Sequence, residues 1–313
     1  VAAAKVVKKD REIYGVIDMG SNTFRLSLYR YEADQLTLLL GKKFVVGLAD
    51  YIERDELSDR GIVKACSALE HFLRILDNFN ISNYYVFATA SLRNVQNRGK
   101  VLDMIRKRTG LKVDVLSGER EATLDFIGAS RGVCTDKGVL VDIGGGSTEL
   151  TLYENGEILQ AASMPVGSLN LYSKYVKKLL PNVEERRKIR KKVTEELKTL
   201  ENSGKIRPKK FVTLCGVGGS VRAAAALNNE IFESKSGSRE MEADDVEKVL
   251  HVFSSCNKDT LRWILQVAPE RIHTAIPGMI ILQTVSNYFK CERILVSRLG
   301  IREGYLYEKI CRY

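Results

Sequence analysis

Val16-Ile17-Asp18-Met19-Gly20-Ser21-Asn22-Thr23-Phe24-Arg25-Leu26-Ser27-Leu28-Tyr29 returns 124 residues later as Leu140-Val141-Asp142-Ile143-Gly144-Gly145-Gly146-Ser147-Thr148-Glu149-Leu150-Thr151-Leu152-Tyr153. The two align without a gap. Asp, Gly, Leu, Leu and Tyr coincide at Asp18/Asp142, Gly20/Gly144, Leu26/Leu150, Leu28/Leu152 and Tyr29/Tyr153. Most other pairs exchange like for like; Phe24/Thr148 and Arg25/Glu149 do not. Agreement in both chemistry and periodicity points to an internal duplication. Each copy is an apolar run ending in Asp, a turn of small residues, and an alternating run, which reads as strand, glycine-rich turn, strand. Residues 31–40 and 157–164 supply a third strand in each copy, with tight turns at Ala33-Asp34 and Asn155-Gly156.

Helices and strands alternate outward from these copies. Leu69, Phe72, Leu73 and Leu76 share one helix face. The pattern predicts strands over 84–88 and 113–116, a basic helix between them over 95–109, and a further helix over 122–130. In the second half it predicts helices over 168–178, 184–200 and 221–227 and a strand over 211–215. A helix opened by Pro277 runs to 288, followed by a strand over 293–297 and a last helix from Arg302. The chain therefore reads as α/β, in two duplicated halves with a cleft between them. Residues 132–138 make the natural crossing. That gives a tail over 1–12, a first domain over 13–133 and a second over 134–300, with the final helix, 301–313, returning to the first. Residues 233–240, rich in Ser, Gly and charge, read as a mobile loop.

A chain of 313 residues can bury two cores. With 44% hydrophobic and 28% charged residues it has the balance of a soluble globular protein. No apolar run reaches the roughly 18–20 residues of a membrane span, and the basic, alanine-rich start lacks the apolar core of a signal peptide. The six cysteines form no C-x-x-C pair and there are three histidines, so neither a disulfide framework nor a zinc site is expected. The cytoplasm is the expected compartment. A net charge of +10 bears on partners, not on fold. Lys174, Lys177, Lys178, Arg186, Arg187, Lys188, Arg190, Lys191 and Lys192 concentrate it, either as an electrostatic track for a phosphate polymer or as a solvated helix face. No nucleic-acid module or aromatic stacking surface is present, so nucleic acid is not an expected partner.

The chemistry concentrates at the turns. Gly144, Gly145 and Gly146 let the backbone approach an anion with N–H groups turned inward, and Ser147 and Thr148 add hydroxyls. Asp142, at the strand end, is placed to hold Mg²⁺ directly or through water. A plain hairpin turn would also select glycine, but Asp18, Gly20, Ser21, Asn22 and Thr23 repeat the arrangement, with Asp18 in the place of Asp142. A third turn, Cys215-Gly216-Val217-Gly218-Gly219-Ser220, joins a strand to a helix. Gly218, Gly219 and Ser220 could present helix N-terminal amides to phosphate, although close helix–strand packing would select the same glycines.

With Ala88-Thr89-Ala90-Ser91-Leu92-Arg93, Leu116-Ser117-Gly118-Glu119-Arg120-Glu121-Ala122 and Gly300-Ile301-Arg302-Glu303-Gly304 added, the sequence resembles the exopolyphosphatase/guanosine pentaphosphate phosphohydrolase (Ppx/GppA) family over residues 13–307. That family is a branch of the actin, hexokinase and sugar-kinase superfamily. The resemblance implies two duplicated actin-like (ribonuclease H-like) domains with an interdomain cleft. It implies Glu121 as the catalytic glutamate that orients and deprotonates the attacking water, with Arg93 lining the cleft near the phosphate chain. Asp142 and Glu149 match acidic residues around a divalent metal, Mg²⁺ or Mn²⁺. The implied substrate is inorganic polyphosphate or guanosine pentaphosphate (pppGpp), with a homodimer left open.

A glutamate facing a polyanion in a closed cleft would have its pKa raised, which suits a general base. The chain departs from the family at Arg120, where an acidic residue is usual, and at Arg298. The expected activity is an exopolyphosphatase, with pppGpp hydrolysis as the alternative. A kinase or ATPase of the same superfamily, or a binding-only sensor, are the readings of other classes.

Overall fold

The computed structural model describes residues 12–233, 237–255 and 258–311. The expected tail, save residue 12, and positions 234–236 of the expected loop lie outside them. The chain divides into two compact units between Leu116 and Ser117.

The first unit runs β1 (Glu12–Met19), β2 (Thr23–Glu32), β3 (Gln35–Val45), a small hairpin of β4 (Ile52–Glu53) and β5 (Glu56–Leu57), and α1 (Asp59–Asn78). It continues through β6 (Tyr84–Ala88), α2 (Ala90–Arg93), α3 (Arg98–Thr109) and β7 (Asp114–Val115). Its sheet has the order β3-β2-β1-β6-β7, antiparallel at the meander and parallel beyond. Val16, Ile17 and Met19 are buried because β1 lies inside the sheet, and Phe24 and Leu26 join Leu69 and Phe72 of α1 in one core. Ala33 and Asp34 both take positive φ, as a two-residue hairpin turn requires.

The second unit opens with α4 (Gly118–Ser130), then β8 (Lys137–Ile143), β9 (Thr148–Glu154), β10 (Glu157–Met164), α5 (Ser168–Tyr175), α6 (Val183–Asn202), β11 (Thr213–Val217) and α7 (Gly218–Ile231). It closes with β12 (Glu240–Glu242), α8 (Ala243–Val252), α9 (Lys258–Val267), α10 (Ala275–Phe289), β13 (Arg293–Val296) and α11 (Ile301–Cys311). The sheet order is β10-β9-β8-β11-β13-β12. Its first four strands repeat the first unit's β3-β2-β1-β6. The repeat holds at the level of single residues: Asp18 pairs with Arg25 and Met19 with Phe24, while Asp142 pairs with Glu149 and Ile143 with Thr148. This is the α/β, actin-like duplication that the sequence implies.

The helices α4 and α11 group with the second sheet, so the division falls before the crossing at 132–138. They meet backbone to backbone: a Cβ on Gly304 would lie 1.8 Å from the Leu124 carbonyl oxygen, and one on Gly128 would lie 2.1 Å from that of Gly300. Glu303 caps the start of α11 by accepting from the Gly300 amide at 2.9 Å. The glycines of the 300–304 motif thus serve a helix joint.

The basic run resolves on α6. Ile189, Val193 and Leu197 face the core. Arg186 is buried and donates to the carbonyls of Pro181, Leu250 and Phe253. Arg187, Lys191 and Lys192 pair with Glu184, Glu195 and Glu196 on the same helix. Much of the positive charge is therefore locally compensated, and Arg186 is a structural cation. No helix among the described residues is long and apolar enough to cross a membrane.

Candidate active site

The site of the second unit grows from the β8–β9 turn. The Gly144 amide closes it on the Ser147 carbonyl at 3.0 Å. The carbonyls of the turn are then captured by the start of α5. Gly144 accepts from the Ser168 amide at 2.9 Å, Gly145 from the amides of Leu169 and Asn170 at 3.0 Å each, and Gly146 from Asn170 Nδ2 at 2.9 Å. Such contact needs Gly167, whose Cβ would fall 2.5 Å from the Gly145 carbonyl. With its carbonyls drawn back, the turn leaves the amides of Gly145 and Gly146 without an acceptor among the described residues. Two adjacent backbone donors with no protein partner are what an anion cradle needs.

The first unit repeats the device. The Asn22 carbonyl accepts from the amides of Val46 and Gly47 at 3.0 and 2.8 Å, and the Ser21 carbonyl from Ala49 at 3.2 Å. Gly20 and Thr23 flank this turn, and Asp18 precedes it on β1. Ser91 donates to the Met19 carbonyl at 2.6 Å, fastening α2 to the end of β1, and Arg93 at the end of α2 reaches the Leu116 carbonyl at 3.3 Å. Asp18, Gly20, Ser21, Asn22, Thr23 and Arg93 are thus residues of the first unit, and the other expected site residues belong to the second.

Two expected phosphate donors are otherwise engaged. Thr148 is fully buried and its hydroxyl donates to the Val166 carbonyl at 2.7 Å. The Ser220 hydroxyl donates to the Ile143 carbonyl at 3.3 Å and accepts from Arg271 at 3.4 Å. Both brace the strand ends, and neither hydroxyl is oriented as a phosphate donor.

The third turn presses against Asp142. Gly218 has φ of +85°, and a Cβ there would lie 2.2 Å from Asp142 Oδ1. The Arg271 guanidinium lies across Gly219. Burial pushes the Asp142 carboxyl above its ordinary range, opposed by Arg222, by a hydrogen bond with Asp125, and by Arg271 and Arg302. Opposite Asp142 on β9, Glu149 is buried and accepts from the Ser163 hydroxyl at 2.7 Å. Glu121 is 6% exposed on the first turn of α4, whose N-cap Ser117 accepts from the Arg120 amide at 3.2 Å.

Arg120 itself pairs with Glu308 of α11 at 2.7 Å. The departure from the family is therefore compensated by a carboxylate on the neighbouring helix. Arg120→Ala is expected to cost less than about 1 kcal/mol, as half-exposed pairs do. Urea denaturation of Arg120→Ala, Glu308→Ala and the double variant checks the coupling.

Asp125, Arg222, Arg271 and Arg302 are absent from the sequence-derived role assignments. Asp125 carried a signal, standing four residues after Glu121 and so on the same helix face. Arg271 carried none. Among the described residues, no three Asp, Glu, His or Cys side chains form a ready-made metal cage. Mg²⁺ bound through one or two carboxylates and phosphate oxygens needs no such cage. The donor set fits that mode: the Asp142 carboxyl stands at the strand end before a turn whose Gly145 and Gly146 amides have no acceptor among the described residues, with the Asp125 carboxyl hydrogen-bonded beside it.

The sequence pattern of the Ppx/GppA phosphatase family matches residues 27–312. The chain is 28% identical over 307 residues to a bifunctional 3-dehydroquinate synthase/phosphatase of Fusobacterium nucleatum, covering 92% of this chain and 45% of that protein. It is 32% identical over 173 residues to a guanosine-5'-triphosphate,3'-diphosphate pyrophosphatase of Pseudoalteromonas translucida, covering 55% and 35%. The chain thus spans less than half the length of each of these two curated relatives. An exopolyphosphatase from Cytophaga hutchinsonii has a similar solved structure, with a TM-score of 0.83 and 25% identity over 96% of this chain and 98% of that one.

Proposed function

This chain belongs to the Ppx/GppA phosphatase family, and from that premise we propose that it releases terminal orthophosphate from inorganic polyphosphate. The observation that carries the reading is the β8–β9 turn, whose carbonyls are held by α5 while its Gly145 and Gly146 amides have no acceptor among the described residues. Phosphoryl transfer depends on positioning and charge neutralisation more than on covalent chemistry, and backbone amides beside carboxylates supply both. The amides of Gly145 and Gly146 bind and orient the phosphate oxygens. Glu121, held on the first turn of α4, orients a water for in-line attack and accepts its proton. Arg271 and Arg302, whose charges reach Asp142, oppose the negative charge gathering there. The first unit offers an equivalent turn and Arg93 as donors of the same kind. Asp142 would hold Mg²⁺ or Mn²⁺, with Glu149 nearby, and the ion would neutralise charge on the phosphate oxygens.

A second reading, hydrolysis of guanosine pentaphosphate, is favoured by the likeness to the pyrophosphatase of Pseudoalteromonas translucida, the higher in identity of the two curated relatives. The initial rate of orthophosphate release with Mg²⁺ separates them, measured on long polyphosphate, guanosine pentaphosphate and ATP. Faster release from polyphosphate is expected. Preference for the guanosine nucleotide would move the activity to the second reading, and release from ATP alone would overturn both.

A further inference from the structure

Cys134 and Cys215 stand 81 residues apart in sequence, yet their thiols share a hydrogen bond, Sγ to Sγ, at 3.4 Å. Their surroundings differ. Cys215 is fully buried in β11, fixed in the sheet between Leu140 of β8 and Leu295 of β13. Cys134 is half-buried in the crossing between α4 and β8, outside any helix or strand, with Gly132, Thr135 and Asp136 exposed around it. The two thiols also differ in chemistry. Hydrogen bonding with Cys215, and with Tyr153, draws the Cys134 thiol below its ordinary range against the opposing pull of burial. The same bond with Cys134, together with burial, holds Cys215 well above that range. Burial alone raises Cys291, to about 12, and burial is the main influence raising Cys66.

An accessible, readily ionised thiol touching a second thiol is the arrangement of a reversible oxidation site. We infer that Cys134 and Cys215 are such a site, forming a disulfide on exposure to peroxide, with Cys134 attacking and Cys215 resolving. The Cys134 sulfur attacks one oxygen of hydrogen peroxide. The O–O bond breaks, the S–O bond of a sulfenic acid forms, and the other oxygen leaves as water with the thiol proton. The Cys215 sulfur then attacks the Cys134 sulfur. S–S forms, S–O breaks, and hydroxide leaves with the Cys215 proton as a second water. Two thiols are oxidised and one peroxide is reduced. The sulfurs must close from 3.4 Å to about 2.05 Å, a movement that Cys134 can supply from its loop while β11 stays paired. The bond would tie the chain leaving α4, the helix of Glu121, to the strand that enters the 216–220 turn against Asp142. The inference stands apart from the proposed hydrolysis and uses none of its residues. The competing reading is that two small apolar side chains simply pack together.

The reduced full chain is treated with hydrogen peroxide, alkylated in denaturant, and digested without reductant for peptide mass spectrometry. The expected main product is a Cys134–Cys215 cross-link that dithiothreitol reverses. Before peroxide, iodoacetamide is expected to label Cys134 in the folded protein at least about tenfold faster than Cys66 or Cys291. In Cys215→Ser, Cys134 is expected to accumulate as a sulfenic acid captured by dimedone. Free thiols at both positions after peroxide, or cross-links confined to other cysteines, overturn the inference and leave a packing pair. Labelling of Cys134 no faster than that of the buried cysteines, or no dimedone capture in a Cys215→Ser protein with the parent's circular dichroism, removes Cys134 as the attacking thiol. Because the parent alone gives the cross-link readout, poor folding of Cys215→Ser does not shield the inference. No step of the test depends on phosphate release, so its outcome is separate from that of the hydrolysis.

Discussion

Glu121→Gln is expected to lower the rate of orthophosphate release by about 10²–10⁴-fold, the contribution of a positioned general base. Polyphosphate binding should stay close to that of the parent. The substitution keeps the shape of a side chain that is 6% exposed on a capped helix turn, so the fold has little to lose. The amide cradle of the 144–147 turn is untouched, which is why binding and turnover should separate. Paired measurements decide the matter: single-turnover phosphate release, and equilibrium binding of a labelled polyphosphate. Turnover retained within tenfold would remove Glu121 from the proton-accepting role. Loss of binding together with turnover would instead place Glu121 among the groups that order the site.

The largest effect on stability is expected from Gly304→Ala. A methyl group there would stand 1.8 Å from the Leu124 carbonyl oxygen and 3.0 Å from the Gly128 amide, both backbone atoms of α4. Neither can swing aside as a side chain would, so α11 must lift from α4. Overpacking of this kind costs about 3 kcal/mol or more, a fall in melting temperature of roughly 6–12 °C for a unit of this size. Gly99→Ala is the matched control. It lies on the exposed start of α3 with nothing within 4 Å of the new methyl, and is expected to stabilise slightly by narrowing the unfolded ensemble. Equal melting temperatures for Gly304→Ala and the parent would show that the helix joint is loose.

The fold was legible where local chemistry decides it. The 124-residue repeat predicts both meanders, and the positive φ of Ala33, Asp34, Asn155 and Gly156 matches the turn residues read from sequence. Strands 84–88 and 157–164 fall at the expected bounds. The helices α8 and α9 are not among the predicted elements, because apolar faces of two or three turns give too few repeats of the period to stand out. The site was legible as a set of glycines and carboxylates, but not as a division of labour. That Thr148 and Ser220 brace strands follows from which carbonyl each hydroxyl meets, and no spacing encodes it. The closeness of Asp125 to Gly300 depends on the start of α11 lying over α4, a contact between distant parts of the chain. Arg120, unusual in the sequence, becomes ordinary once Glu308 is seen beside it.

The grip of α5 on the β8–β9 turn ties the readiness of that loop to the fraying of a helix end. The turn cannot loosen unless the amides of Ser168, Leu169 and Asn170 let go. Their hydrogen–deuterium exchange therefore reports on a cradle whose own inward amides are left for a ligand. On the proposed reading, substrate affinity becomes heritable through positions outside the cradle itself. Drift at Gly167 or Asn170 would register as poorer phosphate capture, although the residues that meet the phosphate had not changed.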